Sequence, residues 1–226
     1  MQTAAALALT LAALHAHVAP ASSAPAPLLS LGPVSPAAAA LFAGRPRISV
    51  AGLVHGAQGD EVALLTVELA EGLGGPRLQL AAGEPLKEHE VVALIPGLAI
   101  GAAPGAHAET ALLPGEAERV GQSAEGVWVA RLDDELVLHL DLHALDEDGL
   151  PERAAARSQA LGRGGSPDAL PVIEWAGDLD ADGALDLIID SGSAAGGPPR
   201  RRLWSSGAAV DGELVGLRAE GEPAGC

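Results

Sequence analysis

The chain has 226 residues, 48% of them hydrophobic but only 2% aromatic, and its 30 Asp and Glu against 13 Lys and Arg give a formal charge of −17. That length suits one domain or a small pair, with a core assembled from Leu, Val, Ile and Ala. So acidic a chain is a poor partner for nucleic acid or an anionic membrane surface, and a single cysteine, Cys226, excludes an intramolecular disulfide.

Residues 1–21 read as a secretory signal. The apolar run Ala4–Leu14 precedes Ala19-Pro20-Ala21, an A-x-A cleavage pattern, and is too short to span a bilayer. The Lys or Arg that such signals carry near their start is missing. The expected location is therefore secreted, periplasmic or at the cell surface. Residues 22–46, rich in Ala, Pro and Ser, read as an extended linker with a brief helix at Ala37–Ala43.

From residue 47 to 226 the chain reads as one β-rich domain of short strands punctuated by turns. Ile48–Val54, Glu61–Ala70, Arg77–Ala82 and Val91–Ile95 come first. Leu98–Gly101 and Ala111–Leu113 are weaker candidates. Val127–Leu132 and Glu135–His143, joined by Asp133-Asp134, form a hairpin pattern, and Arg202–Ser206 and Glu213–Arg218 follow near the end. Pro151–Gly162 carries helix signals: Pro and Glu at its start, an Ala-rich centre, Gly at its close. A strand pairing with Glu135–His143 is the alternative there. The expected fold is all-β, a mainly antiparallel sandwich or barrel-like domain with one short helix.

The segment Trp175–Asp190, WAGDLDADGALDLIID, holds the most specific pattern. Asp178, Asp180, Asp182 and Asp186 occupy positions 1, 3, 5 and 9 of one loop, with Gly183 at 6. A calcium ion takes six to eight oxygens at ~2.3–2.6 Å, and alternate residues of a tight loop can all face inward. Glycine permits the sharp turn, and the Ala184 carbonyl at position 7 is a candidate backbone ligand. A helical EF-hand needs Glu at position 12, where this chain has Ile189, with Asp190 following. The flanks PVIEWAG and ALDLIID are strand-like, so the loop joins two strands. Four carboxylates repel one another without counter-charge, so the expected cofactor, Ca2+, is expected to order the loop.

The pattern D-x-D-x-D-G-x-x-D between strands resembles the calcium loops of FG-GAP (integrin-like) repeats. That resemblance implies carboxylate ligands at Asp178, Asp180, Asp182 and Asp186. It covers one loop in single copy and does not extend to a propeller; Asp146-Glu147-Asp148-Gly149 is only a partial echo. The run from Ile173 to Cys226 is also similar to the ends of a group of uncharacterised exported bacterial proteins, through WAGDLDADGALDLIID, the LWSS of Leu203–Ser206, the GELV of Gly212–Val215 and the final Gly225-Cys226. This second resemblance implies export and a β-rich fold, and no activity.

A rival site is His139-x-Asp141-x-His143. Residues two apart share a strand face, so these three would lie opposite Leu138, Leu140 and Leu142 and offer two imidazoles and a carboxylate to zinc. No G-x-S-x-G elbow occurs, and the glycines at 192, 196 and 197 lack the Lys-Ser/Thr of a phosphate cradle. His55, His89 and His107 share no spacing and read as surface residues. Arg200-Arg201-Arg202 reads as an ion-pair patch or an edge-strand guard. The expected function is an exported calcium-binding module in which the ion is structural, with no partner indicated beyond the ion. A metal-dependent hydrolase built on His139, Asp141 and His143 is the alternative.

Overall fold

The computed structural model describes residues 25–56, 59–72, 75–103, 105–120, 127–133, 135–140, 157–163, 170–193 and 199–221. The first half forms β1 (Ala26–Pro27), β2 (Gly32–Pro33), the short helix α1 (Pro36–Ala40), β3 (Arg47–Gly56), β4 (Gly59–Gly72), β5 (Gly75–Leu80), β6 (Val91–Leu94), β7 (Gly101–Ala102) and β8 (Gly105–Ala111). The second half adds β9 (Ala117–Val120), β10 (Val127–Leu132), β11 (Glu135–Leu140), β12 (Arg157–Arg163), β13 (Val172–Gly177), β14 (Asp186–Ser193), β15 (Pro199–Ser205) and β16 (Gly216–Gly221). The expected all-β architecture holds, and the pairings are antiparallel except for β1 with β16.

The central sheet has the order β1-β16-β15-β14-β13-β8. One face presents Trp175, Ile188, Leu203 and Ala219 to Leu53, Val62 and Ala93 of a second sheet, β2-β5-β4-β3-β6 with β7 on β4. The other presents Ile173, Leu187 and Ile189 to Val127, Val129, Leu136 and Leu138 of a third, β12-β11-β10-β9. Burial on both faces is why Leu187-Ile188-Ile189 is apolar without interruption. A register shift between Ile173 and Trp175 turns these two residues, which share a parity, to opposite faces.

Residues 25–46 do not behave as a linker. Leu28, Leu29 and Phe42 are buried, and the far face of the second sheet closes around Leu29 and Phe42 with Val50, Leu65, Leu78 and Leu94. Proline does not prevent this, because β1 lies at a sheet edge where a missing N–H breaks no ladder. The helix begins at Ser35, whose Oγ accepts the Ala38 N–H at 3.3 Å, and Pro36 fills the first turn.

The helix expected at Pro151–Gly162 is corrected by the described part of it. Arg157–Arg163 is a strand, β12, paired antiparallel with β11, while residues 151–156 lie outside the described residues. Helix propensity is worth tenths of a kcal/mol per residue and yields to pairing and burial. Leu161 enters the core between the third sheet and the central one. The Gln159 amide accepts the Leu214 and Val215 N–H groups and donates to the Val215 carbonyl. Gly162, which resembled a helix stop, has φ +111° beside the register shift at Leu136/Val137. Strands β8 and β9 lie largely outside the segments expected from the sequence.

Two polar contacts tie the layers near Trp175. Its Nε1–H donates to Asp60 Oδ2 at 2.7 Å, joining β13 to β4, and Asp60 Oδ1 pairs with His55 Nδ1. Arg201, only 5% exposed, pairs with Glu174 and donates to Ser30 Oγ at 2.9 Å and to the Val92 carbonyl at 2.7 Å. The basic run thus forms ion pairs, with Arg200 and Arg202 both on Glu220, and β15 is an interior strand rather than an edge.

Candidate metal centre

The Asp-rich loop runs from the end of β13 to the start of β14, at the end of the central sheet where β15 passes through a 3-10 turn, Ser206–Ala208, towards β16. Asp178 immediately follows β13. Its two oxygens accept the N–H groups of Asp182 at 3.1 Å and Gly183 at 2.9 Å, which folds the loop back on itself. Gly183 has φ +83°, the left-handed conformation that glycine takes without strain. Ala181 is also left-handed, at φ +60°, a conformation that costs an alanine about 1 kcal/mol.

Asp186 opens β14 and is fully buried. Its Oδ2 accepts the Leu179 N–H at 2.6 Å and its Oδ1 the Ser206 N–H at 3.2 Å, so one carboxylate clamps the loop to the turn after β15. Burial pushes its pKa up to about 6; the Ser205 hydroxyl and the Leu179 and Ser206 amides pull the other way, and the Asp180 charge adds to the rise.

Asp180 is the least evenly satisfied of the group. Oδ2 accepts Arg218 Nη1 at 2.6 Å and Ser205 Oγ at 3.4 Å. Oδ1 is buried and has no hydrogen-bond partner. One carboxylate oxygen from each of Asp178, Asp180 and Asp186 lies within 4.8 Å of the other two. Two oxygens each ~2.4 Å from a shared calcium-sized ion lie at most about 4.8 Å apart, so the spacing fits one hard cation. An orphaned buried carboxylate oxygen within an all-oxygen donor set supports the same fit. The triad can hold a metal ion.

Of the four expected carboxylate ligands, Asp182 stands apart from the other three. Asp182 is exposed, and its carboxylate accepts the Ala184 N–H and the Ser206 hydroxyl, both at 2.8 Å. It therefore lies outside the triad and braces the loop against the turn after β15. Ala184 is exposed, and its N–H is engaged by Asp182. Asp190 lies four residues along β14 from Asp186, about 13 Å at the rise of a strand, opposite Arg201 in register; it is not part of the cluster.

Three residues of the centre come from elsewhere in the chain: Ser205, Ser206 and Arg218. Ser205 is the register partner of Asp186 across β14 and β15, so it is recoverable from sequence only once that hairpin's alignment is known. Arg218 reaches the loop from β16 and supplies counter-charge within the protein. Part of the counter-charge that the acids require is thus supplied by a side chain.

On the rival strand, Leu138 enters the core as expected, but His139 is 1% exposed, and neither ring nitrogen has a hydrogen-bond partner. Burial, which penalises the charged ring, lowers its pKa. Asp141 and His143 lie outside the described residues, as do residues 1–21, expected as a signal, and Cys226. Among the described residues no helix is long and apolar enough to cross a membrane. No family model matches the chain, and comparison with curated proteins and with solved structures finds no match.

Proposed function

We propose that this chain is an exported calcium-binding β-domain in which the ion has a structural role, bracing the β13–β14 loop against the β15–β16 connection. The observation that carries this reading is the convergence of one carboxylate oxygen each from Asp178, Asp180 and Asp186, alongside a buried and unpartnered Oδ1 on Asp180. The D-x-D-x-D-G-x-x-D spacing, which resembles FG-GAP loops, favours calcium over smaller cations, and the N-terminal apolar run favours export. The centre sits on strand ends and a tight turn, and its Ser205 and Ser206 hydroxyls are engaged as donors to Asp180 and Asp182. It functions as a module for binding or support, not for catalysis. The hydrolase alternative gains nothing at His139, whose buried ring has no exposed face to offer a substrate.

The test is thermal unfolding of the full chain in millimolar calcium and in chelator. Calcium is expected to raise the melting temperature, because an ion that binds only the folded state stabilises it by ~2.7 kcal/mol at a hundredfold excess over Kd. Asp178→Asn keeps one of the two oxygens that accept loop N–H groups and removes a charge, and it should abolish most of the calcium-dependent rise. An identical melting temperature in both buffers for the unmodified chain overturns the reading.

A further inference from the structure

We propose that Arg218 is a built-in rival of the cation, so that occupancy of the centre and the Arg218–Asp180 ion pair oppose one another. This rests on the metal reading above and adds the device that sets its affinity. Asp180 divides its carboxylate between two tasks. Oδ2 is held by Arg218 Nη1 at 2.6 Å, while Oδ1, enclosed and unpartnered, is turned to no donor. A divalent ion shared by Asp178, Asp180 and Asp186 would sit on a carboxylate already neutralised by a guanidinium. Two cations on one carboxylate repel, and they do so strongly where side chains are 18% and 28% exposed, as those of Asp180 and Arg218 are.

Arg218 is suited to such a role by its position. It stands on β16 rather than on the loop, so moving it does not require the loop to unfold. Its long stem is partly open to solvent, and the head can swing into water when the ion arrives. With Arg218 in place the acids tolerate one another without metal; with metal in place Arg218 is superfluous. The side chain therefore stabilises the metal-free fold and raises the calcium concentration needed for occupancy. A residue with a purely structural role would shift stability and affinity in the same direction, whereas a rival shifts them in opposite directions.

The experiment is calorimetric titration of the full chain with calcium chloride, alongside melting in chelator, for the unmodified protein and Arg218→Met, which keeps the apolar stem. The expected result is calcium binding at least threefold tighter in the variant together with a lower melting temperature in chelator. A change in affinity of less than threefold, or weaker binding, overturns the role of Arg218 and leaves the metal reading standing. If neither protein binds calcium at millimolar concentration, the metal reading itself fails and this inference with it. Should Arg218→Met not fold, the Arg218 Nε–H resonance of the unmodified chain is followed through the same titration. Movement in proportion to occupancy supports the rivalry, and a resonance that stays still while calcium binds overturns it.

Discussion

Asp186 shows how one carboxylate can serve two conflicting demands. Its backbone and hydroxyl donors favour the ionised form, but its complete burial costs more, and its pKa is pushed up to about 6 from an ordinary 3.8. A group whose pKa rises on folding binds its proton more tightly in the folded state. Its contribution is thus fully present below the unfolded value near 3.8 and is lost as pH rises through about 6. In chelator, the unmodified chain should therefore lose up to about 3 kcal/mol from this group between pH 4 and pH 7. Urea denaturation across that range, compared with Asp186→Asn, isolates the effect: the variant's stability should fall less steeply with pH. Parallel curves for the two proteins would show that the buried carboxyl does not titrate with folding.

At the scale of elements, β12 shows what pairing can impose on a helix-prone sequence. The Gln159 side chain fastens this strand to residues 214 and 215, just before β16 and three residues from Arg218. Gln159→Ala would strip three hydrogen bonds from two adjacent backbone residues and is expected to cost about 1–3 kcal/mol, read from chemical denaturation. The length of the loop between β13 and β14 is also an element-scale property. Asp178 and Asp186 must flank a turn tight enough for the Asp178 carboxylate to catch the N–H groups of Asp182 and Gly183. Neighbouring β15 then delivers Ser205 and Ser206 because its register with β14 sets Ser205 opposite Asp186.

For the whole molecule, the central sheet is the common partner of two separate cores, and its layers are pinned by buried polar groups as well as by apolar packing. The Trp175 indole donates to Asp60, whose side chain is 2% exposed, and this bond spans two sheets. Trp175→Phe removes the donor and part of the packing between the first two layers. A loss of about 2–4 kcal/mol is expected. Unfolding should remain a single transition if the layers form one cooperative unit; a separate early transition would show that the second sheet opens independently.

The sequence by itself determined the β class, the strand–loop–strand setting of the Asp motif and the sharp turn at Gly183, because these depend on spacing and on local backbone preference. It also pointed to the residues able to carry an ion, since Asp178, Asp180 and Asp186 lie within nine consecutive positions. It did not separate them from Asp182, whose carboxylate was drawn away by a hydroxyl 24 residues further on. Nor did it reveal that Leu28, Leu29 and Phe42 belong to the core, because composition averaged over a Pro-rich stretch hides three well-placed apolar side chains. Arg218 on Asp180, Gln159 on residues 214 and 215, and the burial of Asp186 were decided only by tertiary structure. Each depends on which distant strands become neighbours, and that depends on how three sheets share their faces rather than on any local pattern.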